Sequence, residues 1–340
     1  MKLEVACEAK FAGHMTFAPR YLWPKKAYDG CSEPELFKTR EGREKLVEEL
    51  AVGIRMVDSI RYWGQAFRIF TEEPAPKRKD RLIRPTAIGE TIFSDDGWDP
   101  FCEHADTLWL LHWWLLAPKS VAPSWWLAFN KFAGIKFTAD ELEQFIADQV
   151  TNFGSRARSS VKKDVDCFIQ MYAFGHSVRA TFDDQLNHPF RDLNLLRPSD
   201  REPGVFRFLI GPKVTLTPEV AAFACLDFLA RTEKRASTVP MSRLASVPGS
   251  PGKVFNLTET ALTDLLEIAA SRSSEFTLTS AAGIPQIALN GDAAAIATNL
   301  IRARYERLIG AGHCKDPAGP LAGKQADLVA QGPINAPCLT

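Results

Sequence analysis

The 340-residue chain is 46% hydrophobic and 24% charged, with 41 basic and 41 acidic side chains and a formal net charge of zero. That composition excludes global disorder and leaves apolar material for two or three cores, while a zero balance excludes a bulk polycation but not a local basic patch. Seven cysteines, none in a CxxC pair, exclude a disulfide framework or zinc ribbon and read as buried reduced thiols of a cytoplasmic protein.

The opening MKLEVACEAKFAGH has no long apolar run, so no secretory signal is expected. The next segment, FAGHMTFAPRYLWPKKAY, sets His14, Arg20, Lys25 and Lys26 close together. A histidine with arginine and lysines can position and polarise a phosphodiester, which makes His14, Arg20 and Lys25 candidate catalytic residues. A histidine satisfying a turn, with solvated lysines, fits the same spacing.

Residues 43 to 53, REKLVEELAVG, predict a short helix ending at Gly53, followed by a second over IRMVDSIRYWGQAFRIF. Ile54, Val57, Ile60, Trp63 and Phe67 recur at helical spacing and should face a core. The other side would offer Arg55, Ser59, Arg61, Tyr62, Gln65 and Arg68 to phosphates and base edges. Two short extended runs in KRKDRLIRPTAIGETIF would then form a wing carrying Lys77, Arg78, Lys79, Arg81 and Arg84 against the single acid Asp80. Helix, glycine turn, cationic helix and wing predict an N-terminal winged helix over residues 1–93 that binds double-stranded DNA. Protein docking and simple solvation of the cations are the alternatives.

The loop SDDGWDPFCEH places Asp95, Asp96, Asp99, Glu103 and His104 together. The three aspartates are candidate ligands for Mg²⁺ or Mn²⁺, ions that assist phosphodiester hydrolysis. Asp, Gly and Pro are equally what a turn uses for its own hydrogen bonds.

All eight tryptophans lie at or before position 126, so residues 94–186 should form an aromatic-rich helical middle domain. Leu108 to Ala117 is too short to span a bilayer, ends before Pro118 and reads as a buried helix, with His112 a hydrogen-bonded core histidine. Thr138 and Glu141 spell a capping box. In SSVKKDVDCFIQMY, Val161, Val165, Phe168 and Ile169 should point inward, while Lys162, Lys163, Asp164 and Asp166 mix charges on one helix without a PD-(D/E)xK pattern. Prolines and charges from Asn187 to Gly211 mark a domain boundary, with VFRFLI inside it reading as a short strand. Residues 212–309 predict three helices and the hairpin FTLTSAAGIPQIAL, a second winged-helix-like unit fit for DNA or for homodimer formation. The Gly-, Ala- and Pro-rich residues 310–340 should be poorly ordered. The fold class expected is therefore mostly α with small β-hairpins. No Walker loop, GxGxxG or GxSxG occurs, so nucleotide hydrolysis, dinucleotide binding and α/β-hydrolase chemistry lack support.

Several blocks in order carry a resemblance: Phe11, Gly13, His14, Thr16, Phe17, Arg20, Trp23, Lys25, Lys26 and Tyr28, then SIRYW at 59, DDGWDP at 95, TLWLLHW at 107, KKDVDCF at 162 and SPGKVF at 250. From about Phe11 to Leu289 the chain resembles a bacterial family first catalogued as a domain of unknown function and encoded beside phosphoadenosine-phosphosulfate-reductase-like proteins. The resemblance implies a role in DNA phosphorothioation, a bacterial defence and restriction-modification chemistry in which sulfur replaces a non-bridging phosphate oxygen. The implied partners are a cysteine desulfurase, an ATP-dependent sulfurtransferase and an ATPase component. Family members are credited with nicking DNA; a non-catalytic scaffold or regulator delivering DNA is the alternative. One departure is Pro24 and Ala27 in Trp23-Pro24-Lys25-Lys26-Ala27-Tyr28, where the family pattern reads W-L-K-K-G-Y.

Overall fold

The computed structural model describes residues 2–31, 36–37, 39–74, 81–151, 155–174, 187–233 and 237–312. The chain divides into two compact units, Met1–Ile210 and Gly211–Thr340. Residue 93 is therefore not a unit boundary. The expectation for residues 313–340 lies outside the described residues.

The first unit runs α1 (Leu3–Ala6), α2 (Trp23–Asp29), α3 (Arg40–Glu49), α4 (Ile54–Ala66), β1 (Phe70–Pro74), β2 (Arg81–Pro85), α5 (Ala87–Phe93), α6 (Ala105–Leu116) and α7 (Pro123–Asn130). It continues with β3 (Lys136–Thr138), α8 (Ala139–Gln149), α9 (Ser155–Tyr172), a 3₁₀ turn (Pro189–Leu193), β4 (Leu196–Pro198) and β5 (Val205–Phe208). Local chemistry sets several of these ends. Thr39 caps α3 by accepting from the Gly42 N–H, and Thr86 caps α5 by accepting from the Gly89 N–H. A Cβ on Gly89 would lie 2.0 Å from the Ile69 carbonyl oxygen, so only glycine lets α5 start against the end of the α4 turn. Thr138 and Glu141 form the expected capping box on α8. Residues 105–116 do form a helix, buried along nearly its whole length, in which the His112 ring bonds the Tyr172 hydroxyl at 2.8 Å.

The aromatic middle is not purely helical. β3, β5 and β4 make an antiparallel sheet in that order. Its inner face carries Phe137, Phe206 and Phe208, in ring contact with Phe129 of α7 and Phe168 of α9. Two of its strands come from the Pro-rich stretch after Asn187, which closes this unit and contains, at Ile210–Gly211, the division between the two units. β5 lies in the VFRFLI run expected as a strand, whereas the three-residue β3 and β4 give too short an alternation to be read in advance.

Asp164, on α9, is the polar centre of the unit at 2% exposure. It accepts from the Ala12 N–H at 2.7 Å, from His14 Nε2 at 3.0 Å and from Ser124 Oγ at 2.6 Å. The Thr16 N–H donates to His14 Nδ1 at 3.1 Å, which places the imidazole proton on Nε2, facing the carboxylate. Around this pair, Ser59 Oγ donates to the His14 carbonyl and Trp63 Nε1 to the Phe17 carbonyl, both at 2.9 Å. Tyr62, Trp63 and Trp125 enclose the imidazole with centroid separations of 5.8, 6.3 and 5.5 Å. The segment so gripped contains Ala12, Met15 and Thr16 at positive φ of 53, 50 and 70°. Each is disfavoured by roughly 1–2 kcal/mol, so the hub holds a conformation the segment would not keep alone.

The second unit runs α10 (Pro218–Thr232), β6 (Thr238–Pro240), α11 (Met241–Ser246), α12 (Pro251–Val254), α13 (Glu259–Ala270), β7 (Phe276–Ala281), β8 (Ile284–Leu289) and α14 (Ala293–Gly312). Its sheet order is β6-β8-β7, all antiparallel. The β7–β8 turn is Ala282-Gly283 with φ of 51 and 80°, two left-handed residues in succession, as a tight hairpin following the strand twist requires. Glu219, 3% exposed, accepts from both Arg272 and Arg307 at 3.0 and 2.9 Å and so ties α10 to the end of α13 and to α14. Cys7, Cys31, Cys102, Cys167 and Cys225 are buried and unbridged.

Two stability outcomes follow. Asp164→Ala leaves three donors buried without their acceptor and should cost about 3–5 kcal/mol, lowering the thermal midpoint by roughly 6–20 °C. Asp166→Ala, one turn-face away and exposed, should stay within about 0.5 kcal/mol of wild type; thermal unfolding of the two variants checks this. Burial pushes the Lys213 ammonium down to about 8. The unfolded chain then binds the extra proton between that value and the ordinary lysine range, so stability should rise with pH across that window. Lys213→Met should flatten the rise, read from thermal midpoints between pH 7.5 and 10.

Candidate nucleic-acid interface

Helices α3 and α4 and the β1–β2 hairpin occur in the expected order, and α4 packs on both α2 and α3. The apolar stripe is as expected for Val57, Ile60, Trp63 and Phe67, all at 1% exposure or less, whereas Ile54 is 44% exposed. The opposite face is a correction. Ser59 and Tyr62 are buried at 0% and 3%, Ser59 bonding the His14 carbonyl and the Tyr62 hydroxyl bonding the Val121 carbonyl. Arg61 pairs with Glu72 at 2.7 Å and donates to the Phe37 carbonyl. Lys10 donates to Gln65 Oε1, and Arg68 donates to the Pro118 carbonyl at 2.7 Å. Segments 10–17 and 118–121 therefore lie over the face expected to meet DNA. Of the expected DNA-facing residues on α4, Arg55 alone is exposed. Lys77, Arg78 and Lys79 lie outside the described residues; Arg81 belongs to β2, and Arg84 is exposed.

His14 has no surface at all, and its imidazole is held by Thr16 and Asp164. The neighbouring hydroxyl of Ser124 donates to the carboxylate, not to the imidazole, so the group is not ordered as a nucleophile–base–acid relay. His14 is thus enclosed away from solvent and satisfies a turn, as the alternative has it, but the lysines of that alternative are not simply solvated: Lys25 is 9% exposed and Lys26 donates to the Leu50 carbonyl. Arg20 is half-buried. Lys25 is brought to Asp29 and Asp95, at 2.6 and 2.7 Å, beside the Tyr28 ring. Burial draws the Lys25 ammonium down, but hydrogen bonds to the two carboxylates outweigh it and hold the group above its usual range. The same bond holds Asp95 below the usual carboxylate range. A lysine so paired stays protonated and can serve a phosphate only as a cation.

The three aspartates do not converge. Asp95 and Asp96 are exposed, whereas Asp99 is 3% exposed and points into the start of α6. Asp99 accepts from the Glu103 and His104 N–H groups at 2.8 and 3.1 Å and from Thr107 Oγ1 at 2.5 Å. No three His, Cys, Asp or Glu side chains among the described residues are placed to share a metal ion. The loop does what turn chemistry needs, with Asp99 satisfying the open N–H groups of a helix start. These residues do not fit a preformed divalent site.

A different cationic surface emerges on α9. Val161, Val165, Phe168, Ile169 and Tyr172 are buried, while Arg158, Ser159, Lys162, Lys163 and Asp166 are exposed. Arg158, Lys162 and Lys163 form no ion pair among the described residues. The sequence carried the signal, since the inward stripe sets the helical phase. Lys162, Lys163, Asp164 and Asp166 read as one mixed-charge run because nothing local says that Asp164 is buried against a histidine 150 residues away.

Among the described residues, no helix is long and apolar enough to cross a membrane. The family model described as "protein of unknown function (DUF4007)" matches residues 11–305. No curated protein matches the chain. A solved structure described as "SspB crystal structure" is similar at 34% identity and a TM-score of 0.83, covering 90% of this chain and 91% of that one. A second, "Magnesium ion-bound SspB crystal structure", matches at 34% identity and a TM-score of 0.82, with 90% of each chain covered. With the family model spanning most of its length and the fold shared over nine-tenths of the chain with these solved structures, the chain belongs to the DUF4007 family and has an SspB-like fold.

Proposed function

We propose that this protein is the SspB-like, DNA-contacting component of a bacterial Ssp DNA phosphorothioation system. The observation that carries the reading is the match to SspB at 34% identity across nine-tenths of both chains. In this reading it acts in the cytoplasm with a cysteine desulfurase, an ATP-dependent sulfurtransferase and an ATPase component, on double-stranded DNA. We also take the two helix–strand–helix–helix–hairpin sets, α7 to β5 and α10 to β8, as winged helices. The first has that element order, the second adds the four-residue α12 between its two longer helices, and each has a sheet with its first strand beside its third. The N-terminal α2–α4 helices with the β1–β2 hairpin would be a third, embedded one.

Nicking of one strand is the second reading, and the Lys25–Asp29–Asp95 group, in which the two carboxylates are exposed and Lys25 lies beneath them at 9% exposure, favours it. A protonated lysine just beneath the surface can neutralise a scissile phosphate when the phosphate displaces its carboxylate partners. No metal-assisted step is derived, because Asp95, Asp96 and Asp99 are not gathered as ligands; Mg²⁺ enters only as the ion that accompanies the second SspB structure.

Two measurements separate these readings. The purified chain should bind duplex DNA with an affinity that falls steeply between about 50 and 200 mM salt, as counterion release demands; undetectable binding at the low end would remove the DNA-contacting role. Supercoiled plasmid incubated with Mg²⁺ should become open-circular if the chain nicks, with about a tenfold or greater loss of rate in Lys25→Ala. Plasmid that is bound yet stays supercoiled would refute nicking and leave the scaffold role.

A further inference from the structure

We infer that α9, and not α4, is the helix this protein lays on DNA, with Arg158, Lys162 and Lys163 taking the phosphate backbone. The inference rests on the DNA-contacting role proposed above and assigns that role to one surface.

In a winged helix the helix preceding the hairpin is the one that a major groove, about 12 Å wide, can accept. The chain offers three helices in that position. α4 is covered, through Ser59, Tyr62, Gln65 and Arg68, by the N-terminal segment and by residues 118–121. α13 is exposed but acidic: Glu259, Asp264 and Glu267 face solvent, and the hairpin after it, Phe276–Leu289, holds no charged residue. Such a helix repels a phosphate backbone. α9 is the third, and its solvent face carries Arg158, Ser159, Lys162 and Lys163 with Asp166 as the one exposed acid among its described side chains.

The charges on α9 are also placed at a cost to the isolated helix. Arg158 and Lys162 are four residues apart, a like-charge pair that destabilises a helix by about 0.2–0.5 kcal/mol, offset in part by Asp166 four residues after Lys162. The first turn of α9 contains no acid, in contrast to α8, which has Asp140 and Glu141, and α13, which has Glu259. Arg158, at the end of that first turn, opposes the helix dipole, and an anion laid across Arg158 and Lys162 relieves both penalties. The helix that bears them is rigidly backed: its inner face is fixed by the Asp164 hub and by Phe168 against Phe208 of the sheet.

The test is fluorescence anisotropy of the full chain with a labelled 30-base-pair duplex at several NaCl concentrations. It compares wild type with the triple variant Arg158→Ala/Lys162→Ala/Lys163→Ala. A control of equal charge loss, Arg55→Ala/Lys119→Ala/Lys131→Ala, removes exposed cations elsewhere in the same unit, including the exposed arginine of α4. The α9 variant should bind at least about tenfold more weakly, and its log-affinity against log-salt slope should shrink by about one per lost phosphate contact. The control should stay within about threefold, and all three proteins should melt together, since the substituted positions are exposed. If wild type binds and the α9 variant binds equally well, the assignment to α9 is overturned while the DNA-contacting role stands. Equal losses in variant and control overturn it too, because net charge then explains the effect. Failure of wild type to bind overturns both.

Discussion

A carboxylate shut away from water holds the first unit together. Asp164 on α9 accepts hydrogen bonds from the backbone N–H of Ala12, the imidazole of His14 and the hydroxyl of Ser124. A buried charge is tolerable only when its acceptor capacity is filled, and here the filling comes from the N-terminal segment and from α7. The consequence is mechanical. Segment 12–17 is pinned across the middle of α9 and the side of α4, with three non-glycine residues held at positive φ. Through Ser59 and Trp63, which bond the carbonyls of His14 and Phe17, α4 joins the same knot.

That knot decides which helix is available. α4 has the amphipathic pattern of a helix with one wet side, yet its polar side chains are spent on main-chain carbonyls and on Glu72. Polar residues at helical spacing say only that a face must find hydrogen-bond partners, and protein can supply these as well as water or phosphate. α9 shows the reverse case. Its one buried acid lies inward, which leaves the solvent side more cationic than the composition of the segment suggests.

The same logic disposes of the metal loop and the histidine. Asp99 is consumed by the start of α6, and Asp95 by Lys25, so two of the three acids already have partners with better geometry than a shared ion would find. His14 is consumed by the hub. His14 and Asp99 each hold a structural bond, a use that their residue types alone did not distinguish from catalysis.

Much of the helical framework was legible from local signals. The Thr138–Glu141 capping box, the buried Leu108–Ala117 run, the inward stripe of α9, the proline-led α10 and the glycine-turned β7–β8 hairpin each follow from chemistry confined to a few neighbouring residues. The family was legible too, because ordered blocks spread from Phe11 to the SPGKVF segment constrain far more than any single motif. Hidden from the sequence were the β3-β5-β4 sheet and the fate of each polar side chain. Strands of three or four residues, two of them after position 195 and one before 139, have no local signal of pairing. Whether Ser59, Tyr62, His14 or Lys162 meets solvent depends on which distant segment packs there. Sequence by itself determined where helices start, stop and turn their apolar sides; only tertiary structure, by bringing residues 12–17 onto Asp164, decided which of the polar sides was left facing water.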